Sequence, residues 1–294
     1  MQMPVVRWFA KCGFTAALLL LACGVAKAWF GNGLQLPATT TRDGALVTLN
    51  RYAREPVPDV VLVGSSLTFR LKEEYFETPR LRNLALAGGS PVTGFEIVAS
   101  QPALPRIILV EMNVLSRATD TALVERYSRN GNADPLFFRP IRTAVAAYEN
   151  WNHVPLNHAQ VALALGQLLK QPPSDFDNHI YVDRALQQQN AEDPTVAVGT
   201  NVMRIQHLIQ AVEQQGARVV LFELPYSQQL EASRSAKITR EIVHNAFPDP
   251  DRWLKFDCPR EELRWSDGVH LDERSAVIVT QSIDRALSLL SGST

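Results

Sequence analysis

The feature that most constrains the fold is a set of short apolar runs separated by longer segments with helical periodicity. In the clearest run, Asp59–Gly64, four consecutive valine and leucine residues end at a glycine. A continuous apolar run of this length is typical of a strand buried on both faces of a parallel sheet. Four further strands are predicted, the last from the least apolar run: Leu81–Leu86, Arg106–Glu111, Arg218–Leu224 and Trp253–Asp257.

Helical patterns fill much of the chain between these runs. Asn201–Gln214 carries apolar residues at helical spacing and is followed by Gly216, a C-cap candidate, and Glu273–Leu290 is predicted as the last helix. Strands that alternate with helices predict an open parallel α/β sheet with crossover helices. The exception is the segment 118–199, which is rich in Pro, Asn and Gln. We predict that it is a helical insertion over one edge of the sheet, which either shapes substrate access or is plain structural decoration.

An apolar segment near the N-terminus bears on the compartment. Arg7 and Lys11 precede the run Cys12–Ala26, Lys27 closes it, and a polar stretch follows. The run is shorter than the ~20 residues that a membrane-spanning helix prefers, but flanking lysines can extend to the membrane surface. The preferred interpretation is a single anchor in the inner (cytoplasmic) membrane with a periplasmic domain.

Two alternatives for this segment stay open. Ala26-Lys27-Ala28 fits the small-x-small cleavage site of a secretory signal, which would release a periplasmic protein. Leu20-Leu21-Ala22-Cys23 loosely resembles a bacterial lipoprotein box. All three interpretations place the remaining chain outside the cytoplasm. The predicted organisation is therefore a membrane or signal segment (1–30), a linker (31–58) and an α/β domain (59–294).

Charge and cysteine content exclude several classes of function. The formal net charge of −1 provides no overall electrostatic attraction to nucleic acid. Of three cysteines, only Cys258 lies outside the N-terminal apolar segment, so the folded part has no pair for a disulfide. Metal-binding CxxC and CxxH spacings are absent from the sequence, and neither a metal nor an organic cofactor is predicted.

Polar residues follow the predicted strands at the edge where open parallel sheets bind ligands. Ser66 follows the first strand, Gly88 the second and Asn113 the third, and Asp267 and His270 precede the last helix. Each of these residues alone has a common structural explanation, such as a helix cap or a turn. Together at one sheet edge they form a candidate site.

This set of residues suits acyl transfer through a serine ester. A serine hydroxyl becomes an effective nucleophile when an imidazole accepts its proton, and a third group must orient the imidazole. We predict these three roles for Ser66, His270 and Asp267. The backbone N–H groups of Ser66 and Gly88 and the side-chain amide of Asn113 are the predicted oxyanion donors. Arg70 and Arg117 are either substrate contacts or solvated surface arginines, and Glu111 is expected to be structural.

At these positions the chain resembles the SGNH (GDSL-like) hydrolase superfamily. Gly64-Ser65-Ser66-Leu67-Thr68 is similar to its first block, with Ser66 at the nucleophile position, and Asn83–Gly88 is similar to its second. Asn113 matches the third-block asparagine, and Asp267-Gly268-Val269-His270 matches the last block. In two departures, Ser65 replaces the family's aspartate, and Glu111-Met112-Asn113-Val114 lacks the third block's glycine and second acid. The first departure makes Ser65 an alternative nucleophile, and the alignment favours Ser66. The resemblance spans residues 59–290 except the insertion.

The resemblance implies a fold and a function. The fold is a flavodoxin-like three-layer α/β/α architecture with about five parallel strands. The departures and the anchor are similar to membrane-tethered members that act in polysaccharide O-acetylation beside a multispanning membrane O-acyltransferase. We therefore expect an extracytoplasmic serine-dependent acyl-ester hydrolase or O-acyltransferase, with acetyl as the favoured group and a carbohydrate as the substrate. The alternative is a non-catalytic accessory protein that keeps the scaffold and binds a membrane acyltransferase or a glycan.

Overall fold

The computed structural model of the protein describes residues 3–30, 40–128 and 157–291. These residues fall into two compact units, one that contains the first helix and one that contains all later elements. The helices are α1 (Met3–Phe30), α2 (Thr41–Arg54), α3 (Ser66–Phe69), α4 (Pro91–Ala99), α5 (Thr121–Ser128), α6 (His158–Lys170), α7 (His179–Ala191), α8 (Thr195–Glu213), α9 (Gln228–Glu231), α10 (Arg234–Ala246) and α11 (Glu273–Ser291).

The first unit contains the helix α1, which includes the predicted apolar run. Its segment Val5–Ala22 has a mean hydropathy of 1.6 over 18 residues, and none of this segment is buried within the protein. A helix of this length and apolarity is able to cross a membrane or to act as a signal sequence. It is the one such helix among the residues that the structure describes.

The second unit is built on a sheet of four parallel strands. They are β1 (Val60–Val63), β2 (Leu81–Asn83), β3 (Ile107–Glu111) and β4 (Arg218–Phe222), in the order β2-β1-β3-β4. The prediction of an open parallel sheet is confirmed for these four strands. All four end at the same edge, because the register aligns Val60 with both Leu81 and Ile107, and Ile107 with Arg218.

Helices cover both faces of this sheet. Alternate strand residues such as Val61 and Ile108 pack with buried residues of α2, α4 and α8, whereas Val60 and Leu109 pack with those of α3 and α11. Strands buried on both faces explain why β1 and β3 are continuously apolar rather than alternating. The layered arrangement is compatible with a three-layer α/β fold.

The predicted fifth strand, Trp253–Asp257, does not form. Trp253 makes one isolated parallel bridge to Leu221, supported by a 2.8 Å hydrogen bond from the Leu254 N–H to the Leu221 carbonyl. Lys255 and Asp257 are exposed and interrupt the run, so the segment lacks the continuous apolar character of a strand covered on both faces, and it meets the edge of β4 through a single bridge. The prediction of about five strands is therefore wrong by this one segment.

The described part of the predicted insertion consists of helices joined by irregular segments. Its described residues contain α5, α6, α7 and the start of α8, which begins six residues before the predicted helix. Residues 129–156 of the insertion lie outside the described part. Gly216 follows α8 with a φ of +90°, as a C-cap glycine does. Residues 41–54, which the sequence assigned to the linker, form α2 and pack on the sheet through Leu49.

Candidate active site

The turn between β1 and α3 places two adjacent serines in different surroundings. Ser65 is fully buried and caps α3, because its Oγ accepts a 3.2 Å hydrogen bond from the Leu67 N–H. Ser66 is the first residue of α3 and faces a cavity. Gly64 precedes the two serines and lies against Thr68, since a Cβ on residue 64 would be 2.3 Å from Thr68 Oγ1. The turn therefore needs glycine at this position.

A buried carboxylate holds this turn from behind. Glu111, the last residue of β3, is fully buried and accepts hydrogen bonds from four donors on two residues. The donors on Ser65 are the backbone N–H at 2.8 Å and Oγ at 2.7 Å, and those on Thr68 are the backbone N–H at 3.3 Å and Oγ1 at 2.6 Å. The sequence suggested only a structural role for Glu111, although an acid at the end of a buried strand was a signal that it has dedicated partners.

Ser66, His270 and Asp267 form a continuous chain of hydrogen bonds. His270 Nε2 lies 2.8 Å from Ser66 Oγ, and His270 Nδ1 lies 2.7 Å from Asp267 Oδ2. The other carboxylate oxygen of Asp267 accepts from the backbone N–H groups of Val269 and His270, at 3.0 and 2.7 Å. The loop that carries both residues turns at Gly268, where φ is +82°. The fold thus brings Ser66 to His270 and Asp267, although Ser66 and His270 are 204 positions apart in the sequence.

The electrostatics of Asp267 set the tautomer of the histidine. Burial of Asp267 opposes its ionisation, but hydrogen bonds from the His270 ring and from two backbone N–H groups outweigh burial and lower the pKa of Asp267 to about 2. The ionised carboxylate accepts a hydrogen bond from Nδ1–H, which keeps the proton on Nδ1 and leaves Nε2 free to accept the Ser66 hydroxyl proton. This arrangement is able to activate a serine nucleophile.

The three predicted oxyanion donors differ in their surroundings. The backbone N–H groups of Ser66 and Gly88 have no hydrogen-bond partner among the described residues. Gly88 lies in an exposed turn with a φ of +79°. Asn113 is fixed by Leu224, because its Nδ2 donates to the Leu224 carbonyl at 2.9 Å and its Oδ1 accepts from the Leu224 N–H at 2.7 Å. One of its two amide hydrogens remains for a ligand.

A cavity of about 480 Å³ opens in front of Ser66. Predicted site residues that line it besides Ser66 are Asn113, Arg117, Asp267 and His270. Two predicted residues do not line it: Gly88, in its exposed turn, and Arg70, which is exposed at the end of α3. The guanidinium of Arg117 donates to the Gly89 carbonyl at 3.4 Å, which places it beside the turn that contains Gly88.

The rest of the cavity wall was not identified from the sequence. Tyr226 lines it and is 5% exposed. Burial, with nearby acidic groups, raises the pKa of Tyr226, so it remains a neutral phenol. Because Tyr226 follows β4, the rule that finds ligands beyond strand ends applied to it as well. The other unpredicted lining residues include a series from α7 and its C-cap, for which the sequence carried no signal: Tyr181, Arg184, Ala185, Gln188, Gln189 and Glu192.

Comparison with known proteins adds no relative. The chain matches no protein-family model, and no curated protein is similar to it. No group of three or more His, Cys, Asp and Glu side chains is placed to hold a metal ion in the described ranges.

Proposed function

We propose that the protein is an extracytoplasmic serine-dependent acyl-ester enzyme of the SGNH type. The observation that carries this proposal is the chain of hydrogen bonds from Ser66 through His270 to Asp267, at the carboxyl edge of a parallel sheet and open to a cavity. Ser65 does not compete for the nucleophile's role, because its hydroxyl is buried against Glu111.

The first half of the reaction forms an acyl-serine. Ser66 Oγ attacks the carbonyl carbon of the ester while His270 Nε2 takes the hydroxyl proton. The carbonyl oxygen becomes an oxyanion, which the Ser66 N–H and the remaining Asn113 amide hydrogen stabilise from the cavity wall, and one such donor is worth about 3–4 kcal/mol. Gly88 does not line the cavity, so its N–H becomes a third donor only if its turn moves toward Ser66. When the carbonyl reforms, the bond to the leaving alkoxide breaks and His270 returns the proton to it.

The second half removes the acyl group by the same steps in reverse. A water or a substrate hydroxyl gives its proton to His270 and attacks the acyl carbon, which releases Ser66. Water yields hydrolysis, whereas a hydroxyl of a second substrate yields O-acyl transfer. We propose acetyl as the acyl group and a cell-envelope or exported polysaccharide as its carrier, on the basis of the resemblance to the membrane-tethered O-acetylation proteins.

The helix α1 supports the proposed location. An apolar helix with none of Val5–Ala22 buried in the protein suits a single anchor in the cytoplasmic membrane, with the α/β unit on the periplasmic side. A cleaved signal would give a free periplasmic enzyme instead. In the anchored form, the enzyme would work beside a multispanning membrane O-acyltransferase that supplies acyl groups.

The test of this function is covalent labelling of the full-length protein in detergent with a serine-reactive fluorophosphonate. Peptide mass spectrometry should locate the adduct on Ser66, and Ser66→Ala and His270→Ala should each abolish it. Ser288→Ala, at an exposed serine on α11, is the matched control and should still be labelled. An unlabelled wild-type protein that is folded would refute the enzyme and favour the non-catalytic accessory protein.

A further inference from the structure

One face of the α7 segment runs along the cavity that contains Ser66. Tyr181, Arg184, Gln188 and Glu192 line this cavity at spacings of three and four residues, so they occupy one side of the helix and its C-cap. From Tyr181 to Glu192 the helical rise gives a length of about 16 Å. We call these four residues the α7 strip.

The chemistry of the α7 strip suits a ligand rich in hydroxyl groups. A phenol, a guanidinium, a carboxamide and a carboxylate follow one another, and each has a flat polar end that can donate or accept more than one hydrogen bond. Pockets for small apolar ligands are lined mainly by apolar side chains. The guanidinium of Arg184 has no carboxylate partner among the side chains described, so its five donors are available to a ligand.

An exposed aromatic pair continues the α7 strip at one end. The rings of Phe176 and Tyr181 are 63% and 53% exposed, and their centroids lie 6.4 Å apart with 28° between the planes. Two large aromatic faces open to solvent beside a polar cavity are typical of a binding surface rather than of a core. The C–H face of a sugar ring packs on such an aromatic face while its hydroxyl groups bond to the polar residues alongside.

We propose that the α7 strip, with Phe176, is the carbohydrate-binding subsite of this enzyme and holds a glycan chain while one of its esters or hydroxyls reaches Ser66. The inference rests on the proposed function, because the strip has this use only if Ser66 is the nucleophile. The length of the strip accommodates several linked sugar rings. The α7 strip therefore selects a polymeric substrate, and the residues around Ser66 at the sheet edge carry out the reaction.

The test compares a large substrate with a small one in the full-length protein. We would measure kcat/KM for O-acetylated oligosaccharides, one neutral and one containing uronic acid, and for 4-nitrophenyl acetate. Removal of one stacking ring by Tyr181→Ala corresponds to about 1.4 kcal/mol, so the ratio of oligosaccharide to aryl-ester kcat/KM should fall about tenfold. Gln188→Ala should lower the same ratio. Gln187→Ala, on the same helix but not lining the cavity, should leave it at the wild-type value.

A binding measurement separates this inference from the proposed function. Calorimetric titration of Ser66→Ala protein with the same oligosaccharides should show binding that is weakened by adding Tyr181→Ala and retained with Gln187→Ala. Equal ratios and equal binding in Tyr181→Ala and Gln187→Ala would overturn the α7 strip even if Ser66 is labelled. Failure of Ser66 labelling in the wild type would overturn the enzyme, and with it the catalytic purpose of the strip, whatever the binding result.

Discussion

Replacement of Glu111 by glutamine should both destabilise the α/β unit and slow the reaction of Ser66. Among the described residues, the carboxylate accepts hydrogen bonds from Ser65 and Thr68 alone, and it is fully buried, so water cannot replace either partner. Glutamine has nearly the same shape. The variant therefore changes the charge and the acceptor capacity of this group while it leaves the packing volume almost constant.

The magnitude follows from the individual bonds. Oε2 accepts from the Ser65 N–H, the Thr68 N–H and Thr68 Oγ1, and these three bonds can persist to an amide oxygen without the charge. A hydrogen bond to a charged group contributes about 1.5–3 kcal/mol and a neutral one about 0.5–1.5 kcal/mol, so each loses about 1 kcal/mol. A neutral amide is easier to bury than a carboxylate, which offsets part of this loss. We expect the free energy of unfolding to fall by about 2–3 kcal/mol.

The same substitution also disturbs the hydrogen bond that Glu111 Oε1 accepts from Ser65. Ser65 Oγ donates to Oε1 at 2.7 Å and already accepts from the Leu67 N–H. An amide N–H₂ at this site is a donor, so the Ser65 hydroxyl has to turn away or the turn has to shift. Ser66 is the next residue, and a misplacement of ~1 Å costs about 100-fold in rate. The rate of fluorophosphonate labelling should fall accordingly.

Urea unfolding followed by tryptophan fluorescence, together with labelling rates, tests both expectations. Glu125→Gln is the matched control, since Glu125 is exposed on α5. A loss below about 1 kcal/mol with a labelling rate equal to that of the control would refute the reasoning, because it would mean that the buried carboxylate neither stabilises nor orients the turn.

Three further predictions follow from the site. Asp267→Asn should lower the Ser66 labelling rate about 10³–10⁴-fold with little change in fold, because an amide facing Nδ1 favours the wrong histidine tautomer; equal rates would contradict this. The stability that ionised Asp267 contributes is present above its ordinary pKa of 3.8 and is lost as the pH falls toward its folded pKa of about 2. The free energies of unfolding of the wild type and of Asp267→Asn should therefore converge between pH 4 and pH 2, which fluorescence-detected unfolding at a series of pH values would measure. Gly64→Ala should lower the urea midpoint strongly, because its Cβ would lie 2.7 Å from Glu111 Oε2, whereas Gly199→Ala, with nothing within 4 Å, should lower it little or raise it.

The sequence by itself was sufficient for the features that depend on neighbouring residues. Three strands, β1, β3 and β4, followed from continuous apolar runs, because a strand buried on both faces is apolar along most of its length. The edge strand β2 came from a weaker pattern, and only Leu81 of its three residues is buried. Gly216 ends its helix as predicted, since only a residue that tolerates positive φ fits there. Asp267 and His270 lie three positions apart on one loop, so their hydrogen bond is local. The rule for parallel sheets placed Ser65 and Ser66 at the carboxyl edge, and the resemblance to the SGNH superfamily selected Ser66 of the two.

Tertiary structure decided the features that join distant parts of the chain. The contact of Glu111 with Ser65, across 46 positions, depends on β1 and β3 being neighbours in register. The amide of Asn113 is fixed by Leu224, and the fifth strand is reduced to one bridge at the edge of β4. The sequence predicted a helical insertion that includes α7, but no pattern identified which of its residues line the cavity. Local periodicity depends on nearby side chains, whereas these contacts depend on how separate elements pack, and a single sequence does not encode that packing in any local pattern.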